Sequence, residues 1–309
     1  MDFKANGRSG TCVTQAGMES LDPSPRSYLR TLLVLGRASN LPTVWSNCIA
    51  AWWLGGGGPL SGLLLLCLGA TCLYTGGMFL NDAFDVEFDK QHRTERPIPS
   101  GAISLGEVWG FGVGWLVLGM VLLAFFGVPT TVLAALLVGC ILLYDAVHKA
   151  VAFSPALMAL CRLFLFLTAA SASDEGITGL AIWTSFALAL YIVGLSYVAK
   201  SESSRGALIK YWPCLCLAAP LFLAYLVNQG EYKLRSVLLS CIVLAWILLN
   251  LGYTFWSNAK NIPRTVSGLL AGIVLVDLLA LCGGDLKIFF LFMLLFASAL
   301  LFQRFVPAT

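Results

Sequence analysis

Residues 60–101 read LSGLLLLCLGATCLYTGGMFLNDAFDVEFDKQHRTERPIPSG, and the change of character at Asn81 decides what kind of chain this is. No charged residue occurs between Leu60 and Leu80. A helix needs about twenty such residues to cross a hydrocarbon core of roughly 30 Å. Eight charged residues then crowd into the stretch from Asp82 to Arg96. An apolar span emerges into a charged loop, and the rest of the chain repeats the apolar half of this pattern.

Composition agrees. Of 309 residues 59% are hydrophobic and 11% charged, against roughly 45–50% and about 25% in soluble globular proteins. So few charges cannot clothe a water-soluble surface, and so many apolar residues exclude a disordered chain. The net charge of +3 leaves no electrostatic footprint for nucleic acid. Ten cysteines sit largely inside apolar runs (Cys67, Cys72, Cys140, Cys161 and Cys241 among them), where Cys acts as a small hydrophobe. With two histidines and no CxxC pair, neither a disulfide framework nor a zinc site is expected. The reading is all-α: a polytopic membrane helical bundle.

Apolar stretches fall at about 34–56, 60–81, 106–127, 130–147, 153–172, 177–198, 209–228, 235–256, 264–282 and 286–304, punctuated by turns such as Gly127-Val128-Pro129. Residues 1–27 are polar, without the apolar core of a secretory signal, and are expected to form a flexible cytoplasmic tail; an organellar address is the lesser alternative. With that tail inside, fifteen Lys and Arg lie on the inner side and only Lys233, Arg235 and Lys287 outside, with Arg162 inside a span. The positive-inside rule therefore puts the loop after the second span in the cytoplasm.

In that loop Asp82, Asp85 and Asp89 are spaced i, i+3 and i+7, on one face if the helix continues. Like charges so stacked repel, so a cation should accompany them. Hard oxygen ligands at a membrane surface suit Mg²⁺, which binds through one or two carboxylates plus substrate phosphate. Lys90, Arg93 and Arg96 follow with donors for phosphate oxygens. Acid and base together read as a metal–diphosphate site, with Glu87 off the stripe and solvated. The plainer alternative is a mixed-charge cytoplasmic loop.

The run Asn81-Asp82-x-x-Asp85-x-x-x-Asp89, followed by Arg96-Pro97 and Gly101, resembles the first aspartate-rich motif of the UbiA superfamily of intramembrane prenyltransferases, which also lies after the second span. Leu35-Gly36-Arg37-Ala38-Ser39-Asn40-Leu41-Pro42 is similar to that family too. The resemblance implies that residues 28–309 form one transmembrane prenyltransferase-like domain, a bundle of nine or ten helices around a lipid-accessible cavity. It implies Mg²⁺ held by the three aspartates, an isoprenyl diphosphate as partner, Asn81 as a neighbouring polar contact, and transfer of the isoprenyl group to an acceptor. Tyr144 and Tyr197, both at cytoplasmic ends of spans, are candidates to steady an allylic cation.

The chain departs from that family after the sixth span. The loop Ser196–Gly206 holds Glu202 but no aspartate, where a second aspartate-rich motif is usual. Either Lys200 and Arg205 contact the diphosphate in place of a second metal, or the substrate or activity has changed. Ten spans against the family's usual nine is a second departure.

Ionisable groups within spans are functional candidates. Arg162 either reaches substrate or pairs with an acid on a neighbouring helix. Asp145 either replaces the missing motif by orienting Lys149 or makes a helix-end salt bridge. Asn47 either joins helices or positions the acceptor, Asp277 is expected to pair structurally, and Gly110-x-Gly112-x-Gly114 to pack closely. The leading expectation is a Mg²⁺-dependent prenyltransferase of the membrane, with its site facing the cytoplasm. A transporter or lipid-binding protein of the same fold is the alternative, against which stand the lack of an internal repeat and the gathering of acids at one edge. No residue set selects the acceptor or the prenyl length.

Overall fold

The computed structural model describes residues 25–203, 212–257 and 261–306, and among these every regular element is helical. The polar tail expected over 1–27 lies outside them but for its last three residues, which open α1 (Pro25–Leu35). Helices α2 (Leu41–Leu54), α3 (Leu60–Phe84), α4 (Val86–His92), α5 (Leu105–Ala124), α6 (Val128–Val147), α7 (Ser154–Ser171) and α8 (Gly179–Ser203) follow, then α9 (Ala219–Val227), α10 (Glu231–Phe255), α11 (Ile262–Ala280) and α12 (Leu286–Phe302). Seven of them (α3, α5, α6, α7, α8, α10 and α11) are long and apolar enough to cross a membrane, and shorter apolar stretches run beside them. Their outward faces carry Trp115, Val117, Val121, Leu136, Leu143, Leu238 and Leu249 exposed, far more apolar surface than a water-soluble protein shows and suited to lipid. This is an integral membrane protein.

Local chemistry sets the helix ends. Ser104 and Glu107 form a capping box at the start of α5, Asn261 and Asp285 cap α11 and α12, and proline occupies the first turn of α2, α6, α7, α9 and α11. Two expected spans differ from the sequence reading. The first, 34–56, is broken: Arg37 takes a left-handed conformation (φ 43°), a short 3₁₀ turn covers Ala38–Asn40, and α2 begins only at Leu41. The amphipathic α1 before the break lays Tyr28, Leu32 and Leu35 against Phe79, Ala83, Ile103 and Val108. The seventh, 209–228, is a 3₁₀ stretch (Trp212–Ala218) running into the short α9.

The spans pack in sequence around a ring in which α2 touches α3, α7, α11 and α12, and α11 touches α2, α8, α10 and α12. The tightest seam joins α3 to α5. A Cβ on Gly76 would stand 2.8 Å from the Gly112 carbonyl, and one on Gly119 2.9 Å from the Gly69 carbonyl. Small residues seven apart let the two backbones touch, the usual route to helix association in lipid. Of the expected glycine triplet only Gly112 packs this way; Gly110 and Gly114 face open space.

Candidate active site

The ring encloses a cavity of about 750 Å³ walled by α3, α4, α6, α7, α8 and α11. Its polar end lies where α3 passes into α4 and α6 ends; its deep wall is apolar, with Ala70, Leu73, Leu137 and Leu165. Ala70 is twelve residues before Asp82 on the same helix, roughly 18 Å deeper at 1.5 Å per residue.

The helix does continue past the membrane almost without a break. The Asp85 amide donates to Asn81 O and the Asp89 amide to Asp85 O, so the i→i−4 ladder runs through the junction of α3 and α4. That keeps Asp82, Asp85 and Asp89 on one side, all three buried. Asp85 and Asp89 line the cavity; Asp82 stands just behind, against two residues that do. Glu87 points to solvent with Lys90 at 2.8 Å.

Each carboxylate is met by a cation from another part of the chain. Arg96 Nη1 donates to Asp82 Oδ1 at 2.9 Å and to Asp89 Oδ2 at 3.2 Å. Arg37 Nη2 approaches Asp82 Oδ1 at 3.5 Å and donates to Asn81 Oδ1 at 3.2 Å. Lys149 Nζ lies 2.7 Å from Asp85 Oδ1, and His148 Nε2 stands 3.5 Å from Asp85 Oδ2. The ammonium of Lys149 also sits 3.9 Å over the Phe88 ring. At an effective dielectric near 20 an ion pair at these distances is worth about 4 kcal/mol before desolvation, an order above the few tenths by which stacked like charges repel. Burial would raise the Asp85 carboxyl, but the hydrogen bonds from His148 and Lys149 outweigh it, and Asp85 titrates below the ordinary range. Asp89 moves the other way: burial lifts it, Arg96 opposes, and Asp85 and Asp82 add to the rise. Asp89 Oδ1 is buried with no partner among the described residues.

Most of the other residues singled out in the sequence converge on this cavity. Asn81, Arg93, Arg96, Tyr144, Lys149, Arg162 and Lys200 all line it. Lys200 does not offer its N–H groups to the interior as expected: they go to Val151 O (2.8 Å), Ser154 Oγ (3.1 Å) and Ala152 O (3.4 Å), tying α8 to the turn before α7. Tyr197 is half-buried on α8 and is not among the lining residues, so of the two tyrosines only Tyr144 faces the cavity. Asn47 is fully buried behind the wall, where Oδ1 accepts from Arg162 (2.7 Å) and Nδ2 donates to Asp277 Oδ2 (2.6 Å). Arg162 thus lines the cavity and also reaches an acid, though through Asn47 rather than directly. Arg205 and the side chain of Glu202 lie outside the described residues. Asp145 also lines the cavity, and its Oδ1 accepts from Asn81 Nδ2 at 3.0 Å rather than from Lys149.

Arg37, His148 and Phe88 belong to the site but were not singled out as site residues. Spacing along the chain does not reveal the contact of Arg37 with Asn81 across 44 residues or of His148 with Asp85 across 63.

These features define a membrane-embedded cavity with an acid–base mouth and an apolar depth. Residues 39–211 match the model of the UbiA prenyltransferase family. The chain belongs to that family. A digeranylgeranylglyceryl phosphate synthase of Saccharolobus solfataricus is 34% identical over 83 residues, 27% of this chain and 28% of that protein. The chain thus aligns with little more than a quarter of that relative. Solved structures share the fold: an apo UbiA homologue of Aeropyrum pernix K1 has a TM-score of 0.63 at 15% identity, covering 80% of this chain and 98% of that one. A UbiA homologue of Archaeoglobus fulgidus bound to GPP and Mg²⁺ has a TM-score of 0.61 at 14% identity, covering 89% and 98%.

Proposed function

We propose that this chain transfers an isoprenyl group from an allylic diphosphate to an acceptor of the glyceryl phosphate class, using Mg²⁺, with the cavity mouth on the cytoplasmic side. The observation that carries the reading is the cluster of Asp82, Asp85 and Asp89 among Arg37, Arg96, His148 and Lys149 at the polar end of a cavity whose depth is mostly apolar. The A. fulgidus homologue bound to GPP and Mg²⁺ supports the donor and the metal. The relatives' name, which describes a glyceryl phosphate with two geranylgeranyl chains, supports the acceptor class. The concentration of Lys and Arg at this end supports the orientation.

The residues present fit Mg²⁺: their donors are hard oxygens, and Asp89 Oδ1 has no partner among the described residues. Asp82, Asp85 and Asp89 would hold it, and the ion would supply positive charge to the leaving diphosphate. Arg93, Arg96 and Lys149 bind phosphate oxygens, and binding draws Arg96 from its carboxylates toward the anion. Lys200 adds charge at the mouth from a fixed position. The apolar wall takes the prenyl tail and excludes water, which would otherwise capture the allylic cation. Tyr144 turns an aromatic face toward that cation, an attraction of about 2 kcal/mol when desolvated.

The test is turnover of geranylgeranyl diphosphate with a geranylgeranylglyceryl phosphate acceptor by the purified chain in lipid. D82N and D85N should each lower kcat at least a hundredfold while the protein stays folded and inserted in the bilayer. Full turnover in both variants would remove the reading.

A further inference from the structure

One carboxylate at the mouth is left over by the donor site. Asp145 stands in the last turn of α6, 4% exposed, lining the cavity beside the α3–α4 junction. Its Oδ1 accepts from Asn81 Nδ2 at 3.0 Å, and Asn81 is itself held by Arg37, which donates to Asn81 Oδ1 at 3.2 Å. Its Oδ2 is buried with no partner among the described residues. A helix C-terminus is a poor place for an unpaired anion, because the helix dipole opposes it. Both oxygens of Asp85 are engaged by Lys149 and His148, and Asp82 Oδ1 by Arg96 and Arg37. Among the carboxylates of the mouth, the buried oxygens without a partner are therefore Asp89 Oδ1 on α4 and Asp145 Oδ2 on α6. The loop after α8 offers no aspartate between Ser196 and Gly206.

We propose that Asp145 is a ligand for a second divalent cation, on the α6 side of the diphosphate, with Asn81 as the residue that positions it. The inference rests on the prenyltransferase reading and goes beyond it by naming where this chain keeps a second cation without a second aspartate-rich motif. One carboxylate is enough, because Mg²⁺ retains several waters and takes its remaining ligands from phosphate. The Asn81–Asp145 hydrogen bond fixes one oxygen and presents the other, the usual work of an outer-shell partner.

The experiment counts Mn²⁺ bound per full-length chain in detergent, by loss of the free-ion electron paramagnetic resonance signal, with geranyl thiolodiphosphate as the slow-reacting probe. The wild-type chain should bind two ions. D145N should bind one, with the remaining affinity within about threefold of wild type. Its melting temperature without metal should be no lower, since asparagine still accepts from Asn81 and the unpaired charge is gone. D145E should regain the second ion, and N81A should weaken it at least tenfold. Two ions of wild-type affinity in D145N would overturn the proposal, and so would a single ion in the wild type, which leaves the donor site intact. A wild-type chain that binds the probe with no metal at all would overturn the prenyltransferase reading as well.

Discussion

One nitrogen of Arg96 stands between Asp82 Oδ1 and Asp89 Oδ2, so a single guanidinium compensates two buried carboxylates a full two turns apart. Removing one partner of a buried ion pair costs more than the pair contributes, about 3–5 kcal/mol, because a bare charge is left behind. R96M should therefore lower the melting temperature without metal by several degrees, and millimolar Mg²⁺ should recover most of the loss by taking the vacated place between the carboxylates. Scanning fluorimetry in detergent reads both numbers; a loss that Mg²⁺ does not reduce would show that the carboxylates are not metal ligands. At this scale the aspartates were legible, because i, i+3 and i+7 is a local property of the helix that bears them. Their compensation was only partly so. Arg96 lies within one loop of its partners, whereas the pairing of Arg37 with Asn81 and of Asn81 with Asp145 spans 44 and 64 residues and depends on how three helices meet.

Among the elements, the α3–α5 seam shows how glycine acts by the room it leaves. At Gly76 a Cβ would press on backbone atoms, Gly112 O at 2.8 Å and Leu116 N at 2.9 Å, which cannot move without parting the helices. At Gly110, two residues before Gly112 in the sequence motif, there is open space. G76A should cost about 1–3 kcal/mol, the usual penalty of overpacking, while G110A should be neutral or stabilising by up to about 1 kcal/mol because alanine is the better helix former. Melting temperatures of the two variants check the sign at each position, and equal shifts would deny the seam. Hydropathy located the spans but not the break at Gly36–Asn40 or the 3₁₀ stretch at Trp212–Ala218. It registers how apolar a window is and is blind to the backbone conformation that window adopts, so a left-handed Arg37 leaves no trace in it.

The molecule as a whole is fastened by a buried polar chain that links three helices. Arg162 on α7 donates to Thr43 O (3.2 Å), Thr43 Oγ1 (3.0 Å) and Asn47 Oδ1 (2.7 Å) on α2, and Asn47 passes the interaction on to Asp277 Oδ2 on α11, where Ser46 Oγ also donates at 2.5 Å. Three helices distant in sequence are joined through one asparagine, and the two opposite charges it separates make the network neutral. That arrangement explains how a guanidinium can line the cavity wall without binding an anion there. It also sets a test that composition could not suggest, since the sequence supplies three polar residues on three helices but not which of them meet. R162M and D277L should each destabilise the fold by about 3–5 kcal/mol, because each strands the opposite charge in the interior. The double variant R162M/D277L should lose less than the sum by about 0.5–3 kcal/mol, the range of coupling between residues in one network. A thermal or denaturant double-mutant cycle in detergent measures the difference. Simple additivity would mean that Asn47 holds each partner separately and that the two charges do not sense one another through it.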